Sequence, residues 1–187
     1  MSSANKNDRR VKRTRSALCQ ALIKLSLEKR YDSITVQEIL EEANVGRSTF
    51  YAHYLNKDQL LLSGMPEKIS EYITIEKDTI IPSVKGLFEH MQMAYPFFKA
   101  LMGTDGAKVG LSRGRELIHE QLLEKLESME NNSFALSVPV QVAAEFLVGA
   151  LLSLMRWWLD NRMPYTPAEM NEMFQKLAKQ GIVVKIP

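Results

Sequence analysis

The chain has 187 residues, 24 basic against 22 acidic side chains, a formal net charge of +2 and one cysteine, Cys19. That length accommodates one domain or two small ones, and a single cysteine excludes an internal disulfide framework and any cysteine-based metal site. The charged N-terminus is not followed by an apolar run of signal-peptide type, so a soluble cytoplasmic protein is expected.

Charge is unevenly placed. Up to Lys57 there are 11 Lys and Arg against 6 Asp and Glu, a balance of +5; from Asp58 onward there are 13 against 16, a balance of −3. Lys6, Arg9, Arg10, Lys12, Arg13 and Arg15 form the densest basic cluster. Alone they describe a solvated tail, but beside a DNA-binding element they suit phosphate contacts. A first helix is expected from about Arg10 to Leu27, burying Leu18, Ala21, Leu22 and Leu25, with Cys19 as a small core residue.

The segment Ser33 to Lys57 is the most informative. Val36, Ile39, Leu40 and Ala43 follow the i, i+3, i+4, i+7 spacing of a helix with one buried face. Thr35 and Glu38 make a capping box, which starts that helix at about Thr35. Asn44 stands where a chain leaving a helix takes a left-handed residue. Gly46 then caps a second, short helix over Arg47 to Tyr54. Two short helices meeting at a tight turn make a helix-turn-helix, whose second helix enters the major groove of DNA. Arg47, Ser48 and Thr49 fall in its first turn, the part that reaches base edges, with Phe50 and Tyr54 facing the core.

Beyond it every expected element is helical. Asn56 and Gln59 open a fourth helix, which Gly64 and Pro66 should interrupt. Further helices are expected at Val84 to Met93 and Pro96 to Met102, then a plain loop over Gly103 to Gly110. Another runs from Ser112 to Met129, ending at Asn131-Asn132, followed by helices at Pro139 to Asn161 and Thr166 to Gln180. The last begins with a cap, a first-position Pro and a capping Glu, carries the stripe Met170, Met173, Phe174 and Leu177, and should stop at Gly181. Strand-like alternation competes only at Tyr72 to Ile75 and Gly181 to Ile186. The apolar stretch Val138 to Leu159 has the length of a membrane span, but Gln141, Glu145, Ser153 and Arg156 interrupt it, and a buried helix of a soluble bundle is expected.

These residues carry a family resemblance. Ala43, Val45, Thr49, Phe50, Tyr51, Tyr54, Asn56 and Lys57, followed by Leu60-Leu61-Leu62, resemble the DNA-binding domain of the TetR family of bacterial transcriptional regulators. The likeness covers about residues 10 to 62 and includes a long fourth helix opened by an Asn-Lys pair. Two departures stand out: Asn44 replaces the usual turn Gly, and Gly46 replaces the usual Ser or Thr cap, removing a side-chain oxygen. The resemblance implies an all-α protein, with a three-helix DNA-binding domain over residues 1–57 and a helical effector-binding and dimerisation domain over 58–187. It implies double-stranded DNA with a palindromic operator as partner, and a homodimer.

Thr35, Arg47, Ser48, Thr49, Tyr51, His53 and Lys57 are the expected DNA-binding residues, the last three on the DNA backbone. By the same resemblance the last two helices form the dimer, through Phe146, Gly149, Ala150, Ser153, Trp157 and Phe174; Ala143 would permit close approach and Trp158 would add an anchor. A small apolar or aromatic effector would sit near Met91, Tyr95, Phe98 and Met102, within a soft cluster that also holds Met93 and Phe97. A regulator answering to a protein partner, or an activator, is the alternative. His53, His90 and His119 lie far apart, and no HExxH, nucleophile elbow, P-loop or paired-carboxylate motif is present. No catalysis, cofactor or metal is therefore expected.

Overall fold

The computed structural model describes residues 3–65, 69–75, 81–130 and 135–184, with side chains over 9–65, 69–75, 81–128 and 136–181. In chain order its helices are α1 (Ser3–Glu28), α2 (Val36–Ala43), α3 (Arg47–Tyr51), α4 (Lys57–Ser63), α5 (Lys85–Met93), α6 (Tyr95–Leu101), α7 (Asp105–Glu130), α8 (Val140–Asp160) and α9 (Pro167–Ile182). Short 3-10 turns occupy Tyr31–Ser33 and Ile69–Glu71. The chain is all-α, as its periodicity predicts. Among the described residues, extended pairing is confined to a two-residue ladder, β1 (Ala135–Leu136) against β2 (Val183–Val184), and a bridge from Thr74 to Ser83. One side of each pairing, Thr74 and Val183–Val184, falls on a segment whose alternation competes with helix, whereas Ser83 and Ala135–Leu136 lie outside both.

Two compact units divide the chain: Met1–Pro66 with Pro96–Ser112, and Glu67–Tyr95 with Arg113–Pro187. The helix-turn-helix unit therefore also takes in α4 and residues 96–112, which a single cut after residue 57 does not foresee. The reason is burial. Leu18, Ala21 and Leu22 of α1 meet Ile39 and Leu40 of α2, Phe50 of α3, Leu60 and Leu61 of α4, and Leu101 of α6 in one cluster, with Phe97 and Ala107 against its edge. Cys19 is half-buried at the margin, and burial raises its thiol pKa, as for a small packing residue.

In the second unit, α9 turns Met170, Phe174 and Ala178 inward, while Leu177 is left exposed. The buried Asn171 fixes its register: the Asn171 Oδ1 accepts from the Val84 backbone N–H at 2.8 Å, at the start of α5. Gln175 donates to the Ile81 carbonyl at 3.0 Å. Phe88 of α5 meets Trp158 of α8 edge-on at 5.3 Å. Helix α8 is long and apolar enough to cross a membrane by length and composition. Yet Ala143, Ala144, Leu147, Val148, Leu151, Met155, Trp158 and Leu159 are buried within the unit, as expected of a core helix.

Several boundaries differ from the sequence reading. α1 begins at Ser3 and α3 ends at Tyr51, three residues short of Tyr54. α4 is short, stopping at Ser63 with Gly64 as its C-cap; Pro66 and Asn131-Asn132 lie outside the described residues. Gly181 lies inside α9.

The larger correction is at Gly103 to Gly110, which is not a loop. Only Gly103 takes a left-handed φ, 75°, and α7 begins at Asp105. The Asp105 N–H, one of the four left open at a helix start, donates to Asp32 Oδ1 at 2.9 Å. Gly106 belongs to a tight packing contact, since a Cβ there would sit 2.7 Å from the Tyr31 ring. Both partners lie over seventy residues back, where no local pattern reveals them.

Candidate nucleic-acid interface

Local chemistry builds the helix-turn-helix step by step. Thr35 is extended and accepts the Glu38 N–H on its hydroxyl, while Glu38 accepts the Thr35 N–H at 2.9 Å, closing the capping box. Lys29 reinforces it from α1's end with an ammonium–carboxylate contact of 2.5 Å. That contact first, and the Thr35 bonds second, hold the Glu38 carboxyl down at about 2. Asn44 adopts the left-handed conformation, φ 51° and ψ 48°, and its N–H returns to the end of α2. Gly46 caps α3 with no side-chain bond, as its lack of an oxygen requires. Asn56 accepts the Gln59 N–H at 2.8 Å. Gln59 reaches back one residue beyond the usual capping-box target, to the Leu55 N–H at 2.6 Å.

The result sorts the residues of α3 by chemistry. Phe50 is fully buried and Tyr54 nearly so, and Phe50 meets the Tyr51 ring edge-on at 5.3 Å. Arg47, Ser48 and Tyr51 are exposed, Thr49 is half-buried, and His53 is half-buried in the turn that follows. Thr35 is exposed at the start of α2.

Electrostatics sharpen this division. Lys24, Lys29 and Arg30 are paired with Glu42, Glu38 and Asp32. Arg9, Arg10, Arg13, Arg15 and Arg47 have no ion pair among the described residues. The uncompensated positive charge of the unit therefore lies at the start of α1 and on the recognition helix, where a polyanion would be met.

Lys57 is placed differently from the expectation of a backbone contact. Its ammonium donates to the carbonyls of Tyr31, Ile34 and Asp32 at 2.8, 2.9 and 3.2 Å. Sequence reasoning missed Tyr31, Asp58 and Gly106, which meet there; nothing in a one-dimensional pattern pairs a turn with a helix start 27 residues on.

The remaining expected sites are dispersed. Met91 is buried and Tyr95 half-buried in the second unit, whereas Phe98 and Met102 are half-buried in the first; Met93 is 81% exposed. On α8, Phe146, Ser153 and Trp157 are exposed, with Gly149 and Ala150 half-buried between them. Ala143, Trp158 and Phe174 are not part of that surface: each is taken up by the unit's own core at 2% exposure or less.

Comparison with known proteins agrees with this geometry. Residues 19–63 match the family described as bacterial regulatory proteins, tetR family, and residues 78–180, more than half of the chain, match the transcriptional regulator C-terminal region. The chain is 43% identical over 67 residues to the HTH-type transcriptional regulator YxbF of Bacillus subtilis, covering 35% of this chain and 18% of that protein. It is 30% identical over 95 residues to the Tn10 TetC protein of Escherichia coli, 48% of each chain. To YwcC, another HTH-type regulator of B. subtilis, it is 25% identical over 86% of this chain and 65% of the other. The matches thus span less than two thirds of the length of these curated relatives.

Two solved structures share the fold. A TetR transcriptional regulator from Streptococcus agalactiae superposes with a TM-score of 0.66 at 24% identity, over 94% of this chain and 99% of the other. NalD, the secondary repressor of the MexAB-OprM multidrug efflux pump in Pseudomonas aeruginosa, gives 0.62 at 20% identity, over 92% and 98%. Matching profiles over both the helix-turn-helix and the helical remainder lead to one conclusion: this chain belongs to the TetR family of DNA-binding transcriptional regulators.

Proposed function

We propose that the protein is a cytoplasmic, homodimeric repressor that grips a palindromic operator and is released by a small apolar or aromatic effector. The observation that carries the DNA-binding part is the sorting of α3: its aromatic core residue is buried while Arg47, Ser48 and Tyr51 face outward, with Arg47 in no ion pair among the described residues. In this reading Arg47 and Thr49 read base edges, Ser48, Tyr51, His53 and Thr35 fix the register on the DNA backbone, and the arginines of α1 add phosphate contacts.

Residues 1–57 act as the DNA-binding head and 58–187 as the effector and dimerisation domain, with α4 and residues 96–112 packed into the head. One recognition helix reads too few base pairs for useful specificity, so two-fold pairing is expected. The stripe Val142, Phe146, Ser153 and Trp157, exposed on α8 with the half-buried Gly149 at its centre, supports a helix-to-helix dimer. Small residues at its centre permit close approach, and aromatic residues anchor its ends.

The effector part rests on the adaptable side chains of Met91 and Tyr95 in the second unit, apart from Phe98 and Met102, which belong to the first. An effector that favours the non-binding form weakens DNA by the factor by which DNA weakens the effector, roughly 5–150-fold at ordinary coupling strengths. The test is gel retardation of DNA upstream of the gene and its neighbours, repeated with apolar and aromatic metabolites that raise the melting temperature. Sequence-selective retardation reversed by a stabilising compound is expected. Selective retardation that no stabilising compound alters would remove the effector from the account and favour regulation by a protein partner.

A further inference from the structure

We propose that Lys57 and Tyr31 are positioning residues of the DNA-binding unit. Together they fasten the starts of α4 and α7 to the single turn Arg30–Ser33, and Lys57 supports operator binding through that fastening, not through a phosphate.

An ammonium has three N–H donors and no more. Those of Lys57 are all in use, on the carbonyls of Tyr31, Ile34 and Asp32 at 2.8, 2.9 and 3.2 Å. The same nitrogen lies 4.5 Å from the centre of the Tyr31 ring, within cation–π range. Next in sequence, Asp58 accepts the Tyr31 hydroxyl at 2.5 Å. Two consecutive residues at the start of α4 therefore hold one turn, and Tyr31 is buried at 1% exposure. To reach a phosphate, Lys57 would have to abandon three charge-assisted bonds.

The same turn also holds the start of α7. Arg30 donates to the Gly103 carbonyl at 3.0 Å, and Asp32 accepts the Asp105 N–H at 2.9 Å. Gly106 lies so close to the Tyr31 ring that only a residue without a side chain fits. Any displacement of the first turn of α7 must move Arg30–Asp32, and with it the acceptors of Lys57. The part of this inference that concerns operators rests on the DNA-binding reading above; the fastening itself does not.

Two measurements test it. The first uses free protein: amide hydrogen exchange in Lys57→Met, with Tyr31→Phe, which removes the hydroxyl bond to Asp58, as the second variant should the first fail to fold. Loss of the clamp should accelerate exchange at Asp105, in the first turn of α7, by roughly tenfold or more. Unchanged exchange there would overturn the fastening. The second uses duplexes selected by the wild type from random sequence, titrated across a salt series. Lys57→Met, Tyr31→Phe and Gly106→Ala should each weaken binding while the slope of log affinity against log salt stays at the wild-type value. A slope shallower by about 0.9 per head, about 1.8 for the two-headed complex, in Lys57→Met assigns a phosphate to that ammonium and overturns the positioning role. Failure of the wild type to select any duplex would count against the proposed function, and the exchange measurement would still decide the fastening.

Discussion

The guanidinium of Arg47 lies 5.8 Å from the centre of the Tyr51 ring, one turn further along α3. Tyr51 in turn rests edge-on against the buried Phe50. An exposed arginine is thereby connected to the core by two aromatic rings, which limits the rotamer freedom it must surrender on binding. Removing Arg47 should register in DNA affinity alone, whereas removing Tyr51 also takes an edge-on contact from Phe50.

Arg47→Ala is expected to cost about 1–3 kcal/mol of operator binding and to relax specificity at one base pair in each half-site. Affinity measured on a panel of single-base operator variants checks this. Equal weakening on every sequence would place Arg47 on a phosphate. Tyr51→Ala should give a smaller loss in the same direction, through the freed arginine and one polar tip.

Gly149 tests the dimer. A Cβ built on it meets no atom within 4 Å, so the subunit itself has room for a side chain there. Gly149→Glu should leave helicity and the melting transition of the head intact, yet sediment as a monomer. DNA affinity should then collapse, because each head loses the effective concentration supplied by the other. A dimer that persists would move the interface away from the α8 stripe.

Acid sensitivity should follow from Glu38. Its folded-state carboxyl is depressed from about 4.5 to about 2, chiefly by Lys29 and then by the Thr35 bonds. A depressed carboxyl contributes stability that is present above its unfolded pKa and lost as pH falls toward the folded value. The contribution should therefore disappear between about pH 4.5 and pH 2. Glu38→Gln should be less stable than wild type at neutral pH, and the difference should narrow as the pH is lowered through that window. Circular dichroism of both proteins under denaturant at several pH values measures it. A gap that stays constant with pH would mean that the capping box, not the ionised pair, carries the effect.

Where the fold was legible in the sequence, the signals were local. Thr35 with Glu38, Asn44, Asn56 and Thr166 with Glu169 each act within four residues, and each forms the cap or turn its chemistry requires. The division of α3 into buried and exposed residues was equally readable from helical spacing. What escaped was tertiary. Gly106 reads as a loop glycine until the Tyr31 ring is placed against it, and Lys57 reads as a free cation until three carbonyls from a distant turn surround it. Trp158 and Phe174 look like interface anchors because large aromatics suit both interfaces and cores; only the packing of α5 and α9 against α8 decides between them. Gly181 stays helical, showing that a glycine near a helix end need not terminate it.

Sequence-specific DNA binding requires a two-fold pair of recognition helices acting together. Enrichment of random-sequence duplexes on the purified wild-type protein, followed by footprinting of the winners, tests it most directly. The expected winner is an inverted repeat whose half-sites lie about one helical turn apart or slightly more, each protected in the major groove. Enrichment of a single asymmetric half-site, or of no sequence at all, would contradict it.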